Sequence, residues 1–249
     1  MENNILLFIA VGFIAQMIDG ALGMAYGVSS TSFLLSLGVP PAAASASVHL
    51  AEVFTTGASG ISHWRFGNVD KKLVKTLLLP GVLGGVTGAY ILTVTPSDII
   101  KPLIAVYLLV IGITILLKVV RTGKNSPSPL SPAKISLLGL IGGFFDATGG
   151  GGWGPIVTTT LVFKGNHPRY TIGSVNLSEF AVTLSQSITF TMLLGITHWQ
   201  VVIGLLIGGV VAAPFGAYTT KKLPVRALTG LLGILITVLS IRTIWLAFN

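Results

Sequence analysis

An acid-and-glycine stretch occurs twice in this chain, and the spacing between the copies governs what the chain can fold into. Residues 142–155 read Gly-Gly-Phe-Phe-Asp-Ala-Thr-Gly-Gly-Gly-Gly-Trp-Gly-Pro, and residues 19–27 read Asp-Gly-Ala-Leu-Gly-Met-Ala-Tyr-Gly. Asp19 thus precedes Asp146 by 127 positions, and Gly27 precedes Gly154 by the same 127. The consecutive glycines Gly149 to Gly152 cannot carry a continuous helix, since each costs about 1 kcal/mol against alanine in a helix interior. The offset persists downstream: Gly38 matches Gly165, Pro41 matches Pro168, Ser47 matches Ser174, Leu50 matches Leu177 and Glu52 matches Glu179. An insertion then shifts the register, so that His63-Trp64 is echoed by His198-Trp199 and Gly88-Ala89-Tyr90 by Gly216-Ala217-Tyr218. One unit has been used twice.

That unit belongs in a bilayer. The 249 residues are 52% hydrophobic and only 9% charged, against roughly a quarter charged in soluble domains, and apolar runs extend from Ile5 to Phe248 with no soluble domain between them. The formal charge of +8 does not point to nucleic acid, because the Lys and Arg residues sit in short loops between apolar spans, where the positive-inside rule accounts for them. Met-Glu-Asn-Asn at the start supplies no basic region ahead of the apolar run, so no cleaved signal peptide is expected. The absence of cysteine excludes disulfides, thiolate metal sites and cysteine nucleophiles.

The first half reads as a broken segment over residues 5–37 and helices over 42–64, 73–94 and 101–120; the second reads as a broken segment over 135–163 and helices over 170–196, 201–220 and 226–248. The six unbroken helices are long enough to cross the hydrocarbon core. The broken segments divide at their glycines into arms of about a dozen residues, which suits re-entrant hairpins. With the loop over 65–75 in the cytoplasm, thirteen of the fifteen basic residues fall on that side, and only Lys101 and Arg242 on the other. Basic loops then follow the second and fourth elements of one half but the first and third of the other. The expected fold is therefore an all-α polytopic membrane protein of two inverted-topology repeats, each a broken, re-entrant hairpin plus three transmembrane helices. Residues 1–121 form the first repeat, 122–132 a cytoplasmic linker rich in Ser and Pro, and 133–249 the second repeat. Such a pseudo-two-fold brings both breaks to the midplane, as in many secondary transporters.

Four acids lie inside apolar segments: Asp19, Glu52, Asp146 and Glu179. At about 3 kcal/mol per charge near the bilayer centre, they need protonation, partners or water. Asp19 and Asp146 read either as caps accepting hydrogen bonds from loose N–H groups at the breaks or as cavity acids that carry protons. Glu52 and Glu179 stand mid-helix with a polar residue one turn earlier, His49 and Asn176. Thr55, Thr56 and Ser59 extend that face in the first half, and Thr183 and Gln186 in the second. The face reads either as a buried polar network joining two helices or as the wall of a wet cavity in which the glutamates take up protons and His49 relays them. Backbone N–H groups at the breaks are anion ligands in principle, which nominates Gly23, Tyr26, Gly27, Gly150, Gly151, Gly152, Trp153 and Gly154 together with His49 and Asn176 as substrate contacts. The histidines at 49, 63, 167 and 198 make no recognisable metal set, and no cofactor is expected. An intramembrane aspartyl enzyme using Asp19 and Asp146, and a passive channel, are the competing classes.

The halves each open with a glycine-broken acidic stretch, followed by Gly-Val-Pro-Pro or Gly-Asn-His-Pro and a helix. The first half adds Trp64-Arg65-Phe66-Gly67-Asn68-Val69-Asp70 and then Gly81, Gly84-Gly85 and Gly88-Ala89-Tyr90. In these features the chain resembles the TauE/SafE family of membrane permeases. The resemblance implies transport of small sulfur-containing anions such as sulfite, organosulfonates or sulfoacetate across the cytoplasmic membrane, coupled to an ion gradient. The spans offer few cations, so an anion would rely on helix ends, hydroxyls, Asn176, His49 and Trp153 with neutral glutamates. The partners expected are the lipid bilayer and a small anionic substrate, with no nucleic acid, and a homodimer is compatible with the sequence.

Overall fold

The computed structural model describes residues 5–22, 24, 26–120, 128–195, 198–219 and 225–248. Gly23 and most of the expected linker lie outside them. The order of elements is α1 (Ile5–Leu22), α2 (Tyr26–Ser36), α3 (Pro41–Arg65), α4 (Lys71–Val94), α5 (Ser97–Val120), α6 (Pro132–Gly149), a π-helical turn (Gly154–Thr158), α7 (Thr159–Phe163), α8 (Pro168–Leu194), α9 (Trp199–Thr219) and α10 (Val225–Phe248). No strand occurs among the described residues.

Local chemistry sets the boundaries. Pro41, Pro132 and Pro168 open their helices, where the missing N–H would be unpaired in any case. Asp70 caps α4 by accepting hydrogen bonds from the N–H groups of Lys72 and Leu73 at 2.8 and 3.3 Å. The glycine run ends α6 at Gly149: Gly150 has φ +67° and Gly151 φ +150°, the left-handed region that side chains disfavour. The arms before each break are longer than the dozen residues expected. Both α1 and α6 have 18 residues, or about 27 Å at 1.5 Å per residue. For α6 the reason is that Gly139 and Gly143 stay helical and let α4 approach, and Gly142 admits Val157 of the π-helical turn, instead of breaking the helix.

Packing is by pairs: α1 lies on α9, α4 on α6, α5 on α10 and α3 on α8. A Cβ at Gly84 would overlap Leu140 O, and one at Gly143 would overlap Gly81 O, so α4 and α6 touch backbone to backbone. Gly12 against Leu205 and Gly208 against Ile9 do the same for α1 and α9. Side chains, by contrast, fill the α3–α8 contact, where the Thr56 and Thr183 hydroxyls lie 3.4 Å apart.

The polarity of the molecule is inside out relative to a soluble protein. Large apolar side chains such as Leu79, Leu83, Leu103, Val110, Met192, Leu231 and Ile241 are exposed on the outer helices, while Ser30, His49, Glu52, Asp146, Ser174, Thr183 and Gln186 are buried. Only a hydrocarbon solvent makes that distribution favourable. Among the described residues, three helices are long and apolar enough to cross a membrane on those criteria alone: Lys71–Val94, Ser97–Leu117 and Arg169–Leu194. Shorter apolar helices include Ile5–Asp19, Trp199–Ala212 and Gly230–Leu246. α3 has 25 residues, but its polar residues lower its hydropathy, and Ser45, Ser47, His49, Glu52, Thr55 and Thr56 among them are buried.

Candidate functional site at two helix breaks

The second break is organised by one carboxylate. Asp146 sits on the last turn of α6, and its Oδ1 accepts hydrogen bonds from the N–H groups of Gly152 at 2.7 Å and Trp153 at 2.9 Å. Its own carbonyl takes the Gly150 and Gly151 N–H groups. Four donors exposed by the break are thereby satisfied within one residue, as buried backbone requires. Oδ2 receives Gln186 Nε2 of α8 at 3.1 Å and faces His49 Nε2 of α3 at 3.2 Å. From α2, Thr31 Oγ1 donates to Gly150 O at 2.6 Å, and from α3, Ser45 Oγ donates to Ala147 O at 2.6 Å. The break is tied to three helices.

The first break repeats the cap at the same separation. Tyr26 N–H, seven residues after Asp19, donates to Asp19 Oδ1 at 3.3 Å, as Trp153 does to Asp146. The aromatic residues after each break serve as anchors. Tyr26 is buried and its hydroxyl donates to Leu205 O at 2.9 Å. Trp153 is buried among Leu77, Val157 and Val182, and its indole N–H donates to Val175 O at 3.2 Å. The Trp153 ring therefore faces the core between α4, α6 and α8 and not a substrate space.

Between the breaks lies a cavity lined by Asp19, Tyr26, Gly27, Glu52, Asp146, Gly151, Gly152, Gly154 and Glu179. All four acids singled out from the sequence meet here, two from each half. The free volume is about 10 Å³, about one water molecule's worth. Glu52 is buried, accepts a hydrogen bond from Gly27 N–H and leaves Oε2 without a partner. Glu179 is half-buried on the same cavity. Among the described residues, no Lys or Arg lines it.

The other nominated residues divide. His49 is fully buried behind Asp146 and reaches the cavity only through it. Asn176 turns away and donates from Nδ2 to Ser59 Oγ at 3.0 Å, joining α8 to α3. The N–H groups of Gly152, Trp153, Tyr26 and Gly27 are where the sequence places them, but each already serves a carboxylate. Gly23 lies outside the described residues. Residues not singled out as site residues also matter: Thr31 and Ser45 clamp the second break, Gln186 holds its acid, and the buried Tyr107 hydroxyl of α5 packs beside Gly152. Gln186 and its counterpart Ser59 already stand on the polar faces read from the sequence, and applying the offset of 127 to the hydroxyl residues would have found Thr31 and its counterpart Thr158.

The chain has relatives among known membrane proteins. The chain is 44% identical to the probable membrane transporter protein YtnM of Bacillus subtilis (strain 168), across 98% of this chain and 85% of that protein. It is 28% identical to the probable membrane transporter protein ORF9 of Sinorhizobium sp, across 81% and 76% of the two chains. A third relative, the probable membrane transporter protein YdhB of Bacillus subtilis (strain 168), is 24% identical across 88% of each. No solved structure matches significantly. These relatives are named as transporters and not as enzymes, and the sulfite exporter TauE/SafE profile matches residues 8–243. With the inside-out polarity and the paired helix breaks, that match makes the chain a membrane protein of the TauE/SafE sulfite exporter family.

Proposed function

We propose that the protein is a secondary transporter that carries a small sulfur-containing or carboxylate anion across the cytoplasmic membrane, with proton movement through Glu52 and Glu179. The observation that carries this reading is the meeting of both glutamates, one from each half, on a single cavity between the two breaks, with Glu52 Oε2 buried and unpartnered. A carboxylate facing an anion is repulsive, whereas a protonated carboxyl is a donor. Protonation of Glu52 also weakens its hold on Gly27 N–H, because bonds to a charged acceptor are worth about 1.5–3 kcal/mol and neutral ones about 0.5–1.5 kcal/mol. The freed N–H passes to the anion. Proton uptake and anion binding are linked in this way without any cation in the cavity.

Two inverted repeats, residues 1–121 and 133–249 about a cytoplasmic linker, supply the alternating access. Exchange of α1 with α6, α3 with α8, α4 with α9 and α5 with α10 carries the main helix contacts onto one another, and Thr56 touches its own counterpart Thr183. Both observations support a two-fold axis passing between α3 and α8. The cavity, at about 10 Å³, is smaller than such an anion, so the helices around it part for substrate to enter. An aspartyl enzyme fits less well, since every oxygen of Asp146 is already engaged.

The test is sulfite, sulfoacetate and acetate flux in proteoliposomes under an imposed pH gradient, for the wild type and for E52Q and E179Q. Loss of pH-driven accumulation by at least tenfold in both variants is expected. Unchanged coupling in both removes the glutamates from the proton role, and conductance without coupling in the wild type identifies a channel.

A further inference from the structure

We propose that the cavity between the breaks selects its anion by charge, admitting singly charged species and disfavouring doubly charged ones of the same shape. The proposal rests on the transport reading above and divides the anions which that reading allows.

The selection follows from what the cavity can offer a negative group. Asp19, Glu52, Asp146 and Glu179 line it, and among the described residues no Lys or Arg joins them. Two arginines are committed at loops and helix ends: Arg169 donates to Asn68 Oδ1 and Phe66 O, and Arg242 donates to Ser36 O. His49 does not line the cavity. It faces Asp146 Oδ2 at 3.2 Å from behind, so the pair turns its carboxylate, the negative end, toward the ligand space.

Backbone donors are short as well. Asp146 Oδ1 holds the N–H groups of Gly152 and Trp153 at 2.7 and 2.9 Å, Asp146 O takes those of Gly150 and Gly151, and Tyr26 N–H goes to Asp19 Oδ1 at 3.3 Å. Pro155 has no N–H to give. The donors that the transport reading frees are the carboxyl hydrogens of Glu52 and Glu179 and the N–H of Gly27, which Glu52 holds in this structure. Glu52 Oε2 is the clearest of them. It belongs to a cavity-lining side chain only 4% exposed and has no partner, a condition that buried polar atoms rarely keep. An oxygen of the anion supplies the partner once Glu52 carries a proton.

All of these donors are neutral. A few neutral hydrogen bonds can replace the water around one delocalised charge, but a second charge calls for a cation or for charge-assisted bonds. It would also share the cavity with the carboxylate of Asp146. At the effective dielectric of a protein site, an extra unit charge a few ångströms from a carboxylate partly offset by a histidine weakens binding by about tenfold or more. Sulfonates, monocarboxylates and hydrogen sulfite fit this site, whereas sulfate and fully ionised sulfoacetate do not.

Matched pairs separate charge from size. Methanesulfonate and sulfate differ by a methyl group against an oxygen, and sulfoacetamide and sulfoacetate by an amide against a carboxylate. Each radiolabelled anion is placed at equal concentration and neutral pH on both sides of proteoliposomes holding the wild-type protein, so that label exchanges without a pH gradient or a membrane potential. The singly charged member should exchange at least about tenfold faster than its partner in both pairs. Glu179→Lys, which adds a cation to the lining, should narrow that ratio by about threefold or more. An unchanged ratio in a Glu179→Lys protein that still exchanges methanesulfonate overturns the placing of the filter in this cavity, and the wild-type ratios decide the proposal if the variant misfolds. Rates equal within about twofold, or faster exchange of the doubly charged member, overturn the proposal and leave the transport reading standing. No exchange of any of the four anions, together with no flux of sulfite or acetate, sinks the transport reading and the proposal with it.

Discussion

Replacement of His49 by leucine removes the partner of a buried carboxylate, and the geometry fixes what is lost. The Ser45 hydroxyl gives its hydrogen to Ala147 O at 2.6 Å. His49 Nδ1, 2.8 Å from Ser45 O, must therefore carry its own hydrogen. Nε2 then faces Asp146 Oδ2 at 3.2 Å, and two acceptors would not approach so closely without a second proton between ring and carboxylate. His49 and Asp146 together hold that proton, and both side chains are buried. Removal of one member of such a pair costs about 3–5 kcal/mol. At roughly 2–4 °C per kcal/mol for a chain of this size, H49L should melt about 6–20 °C below the wild type. Tryptophan fluorescence in detergent measures this, and the set H49L, D146N and the double variant isolates the pair. The double variant should recover about 2–3 kcal/mol of the summed losses. A coupling below about 0.5 kcal/mol, the limit of ordinary additivity, would refute the shared proton and leave His49 as packing against Phe190, 6.0 Å away between ring centroids.

Two further outcomes follow from packing. Gly84→Ala places a methyl group against Leu140 O with no flexible atom to give way, so α4 and α6 must part; a loss of about 3 kcal/mol or more should appear as poor recovery of monodisperse protein on size exclusion. Trp153→Phe deletes the indole donor to Val175 O at a cost of about 1 kcal/mol, and because the ring lies in the core the apparent KM for anion should change less than twofold. A tenfold rise in KM would put the indole back at the substrate.

The break at the glycine run and the four acids on one cavity were legible in the sequence because each is a matter of residue type and spacing. Orientation was not. Trp153 and Asn176 stood beside the site in the chain, yet one turns its indole to Val175 and the other turns its amide to Ser59. Periodicity gives little guidance on such choices in a helix that is apolar on nearly every face. The length of α6 escaped for a related reason: Gly142 and Gly143 look like part of the break, but their partners are Val157 and Gly81, and nothing local distinguishes a glycine that ends a helix from one that admits a neighbour. The occupation of the break N–H groups by Asp19, Asp146 and Glu52 was also hidden, since a cap and a ligand site use the same donors.

The glycine-mediated helix pairs bear on how the molecule is made. α1 finds its closest neighbour in α9, and α4 finds its own in α6, so each intimate contact joins a segment synthesised early to one synthesised late. When α1 and α4 leave the ribosome, the grooves opened by Gly12 and Gly84 have nothing to fill them except lipid. The first half must wait in the bilayer as loosely associated helices until the second half arrives and threads between them. Chains severed between α5 and α6 should therefore regain native packing only when both fragments are co-expressed.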